Sequence, residues 1–139
     1  MSNFPLTAMY CEYLMYRDLY TINKWSDRQK LWELIKPSRQ RETERLIKYI
    51  EAGYRLALVT PDFSSYRYRL DNIFNAYSKL KKTDCISITK SEDYKKVMGL
   101  NREKLIMVIL PNAREIHNLM DHALWMENAG WKVIYEVTS

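Results

Sequence analysis

Two hydrophobic periods share this chain. Residues 54–60 (YRLALVT), 85–89 (CISIT), 105–110 (LIMVIL) and 131–137 (WKVIYEV) are short apolar or β-branched runs that read as strands. The third is the most apolar and reads as a central strand covered on both faces. Between them the apolar positions fall three or four apart. Residues 65–82 form one predicted helix, with Leu70, Ile73, Phe74 and Tyr77 on its buried face. Residues 91–98 form a short one closed by Gly99. A third runs from Asn112, which pairs with Glu115 as a capping signal, to Gly130.

The chain before Tyr54 reads as helical. Thr7 caps a segment to Tyr20 that places Tyr10, Tyr13, Leu14 and Tyr20 near one face. Ser26 and Gln29 form a capping-box pattern ahead of Leu31, Trp32, Leu34 and Ile35. Pro37 is expected to stop that segment. Ser38 opens a further helix with Leu46, Ile47 and Ile50 as its stripe, and Gly53 closes it.

Strands alternating with helices predict right-handed crossovers and a mostly parallel sheet. The expectation is a single α/β domain over residues 1–139: a three-layer, Rossmann-like frame of four or five strands, with residues 1–30 as an N-terminal helical extension packed on it.

Composition sharpens this. At 139 residues, 47% hydrophobic and 28% charged, the chain can fold on one core. Its longest apolar runs are too short to span a bilayer. Glu12, Arg17 and Asp18 interrupt the only stretch that could serve as a leader. Two cysteines, Cys11 and Cys85, lack metal-like spacing and suit a reducing cytoplasm. No membrane partner is expected.

Ligands of such sheets sit beyond the carboxyl ends of the strands. Residues 32–66 (WELIKPSRQRETERLIKYIEAGYRLALVTPDFSSY) resemble the opening of a P-loop nucleotide-binding domain of the helicase, packaging ATPase or thymidine kinase type. The resemblance implies strand, phosphate loop, helix, then a strand ending in a Thr-Pro turn. It makes residues 31–35 a fifth strand, whereas their capping and spacing read as helix. The loop G-x-x-x-x-G-K-[ST] would fall on residues 36–43, where only Thr43 matches. Lys36 and Arg41 stand at the glycine positions and Glu42 at the lysine position. Residues 105–111 end in Ile109, Leu110 and Pro111 where a magnesium-holding Asp would be. The resemblance is therefore to a degenerate relative that does not hydrolyse ATP, and no cofactor is expected.

Other constellations are thin. His117, Asp121 and His122 share a predicted helix, but only the first two share a face, so no metal site is assigned. Pro61-Asp62 with Asp93-Tyr94-Lys95 has nuclease-like residue types at a spacing that separates the acids. No G-x-S-x-G elbow is present. Thr60, Asp62, Ser64, Ser65, Asn112 and Arg114 flank two strand ends near helix starts and make a candidate anion crevice.

Surface chemistry remains. The formal net charge is +5 and there are eleven tyrosines and four tryptophans. Rings with polar tips suit interfaces. Residues 65–82 carry Arg67, Arg69, Lys79, Lys81 and Lys82 against Asp71, interleaved with tyrosines. The leading expectation is a non-catalytic binding or regulatory module that contacts a protein, such as a viral or mobile-element inhibitor of a host enzyme, through Tyr66, Arg67, Tyr68 and Arg69. Alternatives are a nucleic-acid-binding protein using the 65–82 helix and a small phosphate- or nucleotide-handling enzyme. Homo-oligomerisation is left open.

Overall fold

The computed structural model describes residues 25–137. The expected helix over residues 7–20, and Cys11 with it, lies outside them. A long helix α1 (Trp25–Glu51) leads into β1 (Arg55–Val59), α2 (Phe63–Ala76), β2 (Cys85–Ile88), the short α3 (Lys95–Met98), β3 (Leu105–Ile109), α4 (His117–Asn128) and β4 (Lys132–Tyr135). The four strands form one all-parallel sheet in the order β2-β1-β3-β4.

That order dictates the layers. The chain steps one way from β1 to β2, and the other way from β2 past β1 to β3 and on to β4. Right-handed crossovers then put α2 on one face and α3 and α4 on the opposite face. The packing follows. Leu46 and Ile50 of α1 and Tyr66 and Ile73 of α2 meet Leu56, Leu58, Ile106 and Val108. On the other face Val97, Leu119, Ala123 and Met126 meet Ala57, Val59, Met107 and Ile109. Because β3 is covered on both sides, all five of its residues are buried.

Several boundaries move. Pro37 does not stop a helix but lies inside α1. It removes one ladder bond at a cost of roughly 3 kcal/mol. The buried stripe of Arg39, Thr43, Leu46 and Ile50 on the same helix outweighs that cost. Residues 31–35 are therefore helix and not a fifth strand, and α1 is continuous through residue 30. Helix α2 ends at Ala76, six residues before the expected end, where Tyr77 turns to φ −143°. Tyr77 and Leu80 fold back onto the core instead. Residues 111–115 form a 3-10 turn, and α4 starts only at His117 after the extended Ile116.

Candidate functional site

The sheet order reverses between β1 and β3, and a crevice is expected just beyond their carboxyl ends. A cavity of about 450 Å³ opens there. Asp62, Ser64 and Ser65 reach it from the β1 side and Leu110 and Asn112 from the β3 side. Arg39 of α1, Tyr68 and Arg69 of α2, and Glu136 after β4 complete the wall. The parallel ladder extends one residue past the strands, through Thr60 N to Ile88 O, Leu110 N to Val59 O and Glu136 N to Ile109 O. These bonds place Thr60, Leu110 and Glu136 side by side at the rim.

The polar groups of the crevice bond to one another. The Thr60 hydroxyl donates to Asn112 Oδ1 at 2.8 Å, and Asn112 Nδ2 donates to Ser65 Oγ at 3.1 Å. Ser65 Oγ donates in turn to Asp62 Oδ2 at 3.3 Å, while the other Asp62 oxygen accepts the Ser64 N–H at 3.0 Å. Asp62 is the N-cap of α2. The positive helix start already holds a carboxylate of its own chain, which opposes a second anion there. Asn112 is consequently not a cap for α4, because its side chain faces back across the crevice.

Behind this chain lies a buried ion pair. Arg69 Nε and Nη2 donate to the two Glu136 oxygens at 2.9 and 2.6 Å, and Nη1 donates to Thr43 Oγ1 at 2.7 Å. Burial works against the Arg69 charge, but the adjacent Glu136 carboxylate outweighs it and raises the guanidinium pKa. Arg114 donates Nη2 to the Glu136 carbonyl at 3.1 Å and lies 5.3 Å from the Tyr135 ring centre. Glu42 accepts the Val137 N–H at 2.9 Å. The residues at the lysine and Thr positions of the P-loop pattern, Glu42 and Thr43, thus hold the segment after β4 and Arg69. The whole 36–43 window is helix, where backbone amides bond to carbonyls one turn back rather than to phosphates.

Comparison of the chain with protein-family models, curated proteins and solved structures finds no match.

The four expected partner contacts divide by helix face. Tyr66 and Arg69 are buried, whereas Arg67 is exposed and Tyr68 is 55% exposed. Phe63, not singled out from sequence, stands 56% exposed on the same helix. Phe74, expected on its buried face, stands 50% exposed, because the helix turns Tyr66, Arg69 and Ile73 to the sheet instead. Phe63, Arg67 and Phe74 are spaced four and seven apart and share one stripe. Tyr68 flanks the stripe and stacks under Arg39, whose guanidinium lies 5.0 Å from the ring centre. A second hollow of about 450 Å³ follows the seam between α1 and α2 beneath the same pair.

The remaining candidates separate. Lys79, Lys81 and Lys82 lie beyond the end of α2, at the amino end of the sheet, so the basic 65–82 segment is not one surface. His117, Asp121 and His122 are exposed, and His122 stacks on Tyr94 at 4.9 Å. Asp93 accepts the Thr89 N–H and hydroxyl at 2.9 and 3.1 Å, closing its own turn far along the chain from Asp62. Among the described residues no cluster of three metal-ligating side chains occurs, and no helix is long and apolar enough to cross a membrane. Arg39 and Glu136 were missed from sequence. Glu136 left a faint signal as the one acid in an apolar run, and Arg39 left none.

Proposed function

We propose that this protein is a non-catalytic binding module that engages a protein partner through the outward face of α2 and the mouth of the adjoining crevice. The observation that carries the reading is a division of labour on one helix. Its inward polar groups, with those of the crevice, are engaged in internal hydrogen bonds. Its outward face leaves Phe63, Arg67, Tyr68 and Phe74 in water. Aromatic and arginine side chains clustered on a rigid element are the groups that anchor interfaces. Apolar side chains to cover the two phenylalanines, and acids to meet Arg67, are what a complementary partner would bring.

The crevice supports a second reading less well. Its volume suits a small ligand, which keeps a phosphate- or nucleotide-handling activity as the alternative. Against it stand the Asp62 carboxylate at the helix start and the closed hydrogen-bond chain.

Affinity capture from native extract, comparing the wild-type chain with a Phe63→Ala/Tyr68→Ala/Phe74→Ala variant, tests the proposal. A stoichiometric protein retained by the wild type and lost from the folded variant is expected. Equal retention by both, or metabolite turnover by the purified chain, would overturn it.

A further inference from the structure

In a parallel sheet every strand starts at the same end, and the helices that feed the strands finish there. The chain's positive charge collects at that end, opposite the crevice. Lys79, Lys81 and Lys82 precede β2, Arg55 opens β1, Arg102 and Lys104 precede β3, and Lys132 opens β4. Lys48 in the last turn of α1 makes eight cations, against four acids (Glu51, Asp84, Glu103 and Glu127), a net of +4 out of +5 for the whole chain. Along β2-β1-β3-β4 they form a row across the full sheet, roughly 15 Å at about 4.8 Å per strand step.

Helix dipoles explain part of this, since cations are favoured at helix C-termini. Arg102 donates to Ala129 O at 2.9 Å and Lys104 to Ala52 O at 3.5 Å in that way. The dipole effect fades within the last turn. Lys79, Lys81 and Lys82 stand three to six residues past the end of α2 at Ala76, all exposed, so the dipole does not account for them.

A tyrosine lies in the row. Tyr54, just ahead of β1, has the Lys104 and Lys132 ammonium groups 4.9 and 4.7 Å from its ring centre. Lys132 Nζ donates to its hydroxyl at 2.8 Å, and Tyr49 braces the ring edge-on at 5.4 Å. The Lys132 hydrogen bond and charge, with Lys104, hold the Tyr54 hydroxyl below its ordinary pKa despite some burial. Tyr54 is half-buried.

We infer that the amino end of the sheet is a docking track for single-stranded nucleic acid, with phosphates along the lysine row and an unstacked base against Tyr54. A row of cations that includes a braced ring is how proteins hold a single strand without reading its sequence. A duplex would match the cations but leave the ring without a base, and an acidic peptide would do the same.

Fluorescence anisotropy with a labelled oligothymidylate tests this on the full chain. If about four phosphates are neutralised, raising salt from about 50 to 200 mM should weaken binding roughly 50-fold. Lys79→Glu/Lys81→Glu in the exposed loop, and separately Lys104→Glu/Lys132→Glu, should each weaken it tenfold or more. Tyr54→Ala should weaken it roughly 5- to 100-fold. Arg67→Glu, at the opposite end, should change it little. Absence of binding at low salt would overturn the inference. So would insensitivity to the lysine reversals in variants shown folded by circular dichroism, or competition by duplex DNA or polyglutamate as strong as by unlabelled single strand.

Discussion

Arg69 and Glu136 form a two-point ion pair with both side chains almost fully buried, 67 residues apart in sequence. It joins α2, on one face of the sheet, to the segment that follows β4. Breaking such a pair from one side leaves a buried charge, which typically costs about 3–5 kcal/mol. Glu136→Gln or Arg69→Met should therefore lower the urea midpoint strongly. The double replacement Arg69→Met/Glu136→Leu should recover much of the loss. A double variant no more stable than either single one would show that shape, not charge compensation, sets the cost.

The two faces of α2 should respond oppositely. Tyr66 is 8% exposed, and Tyr66→Ala should cost about 3–5 kcal/mol of stability. Phe63→Ala and Phe74→Ala should stay within about 0.5 kcal/mol of wild type by the same unfolding measurement.

Asp93 gives a pH signature. Burial acts to raise its pKa, but the Thr89 N–H and hydroxyl and the Lys96 ammonium outweigh it and hold the carboxyl below its ordinary value. A depressed carboxylate stabilises the fold above its unfolded pKa, about 3.9, and that contribution disappears as pH falls through the folded value. Asp93→Asn should thus be less stable than wild type by about 1–2 kcal/mol at pH 7. The gap should close as pH falls through the lowered folded-state pKa of Asp93. A constant gap from neutral to acid would assign the loss to packing.

Cys85 should be inert. Burial, followed by the Asp84 charge, pushes its thiol up to about 12. A maleimide probe at pH 8 should label it only at the rate of unfolding, and rapid labelling of Cys85 in the native chain would show an open path to this core position.

Triphosphates should not bind tightly. Asp62 caps the helix that would hold the phosphates, and the 36–43 window is helical. Calorimetry with magnesium ATP should detect no micromolar site, and one that vanished in Asn112→Ala would reopen the nucleotide reading.

The sequence by itself determined the four strands and their parallel pairing. Runs such as LIMVIL carry their burial in their own composition, and alternation with helical segments leaves few topologies. It also determined that the loops after β1 and β3 would flank a crevice, because that follows from the frame. Pro37 misled because local propensity counts the lost hydrogen bond but not the stripe of Arg39, Thr43, Leu46 and Ile50 that tertiary packing adds to the same helix. The end of α2 was misplaced for the same reason: Tyr77 and Leu80 leave the helical path to reach the core. Only the tertiary structure decided that Arg69 faces Glu136 while Arg67 faces water, that Thr60, Asn112, Ser65 and Asp62 satisfy one another, and that lysines before three different strands share one end. Each of these depends on how a helix is rotated or how strands are aligned, and contacts 50 or 60 residues apart leave no periodic trace in the chain.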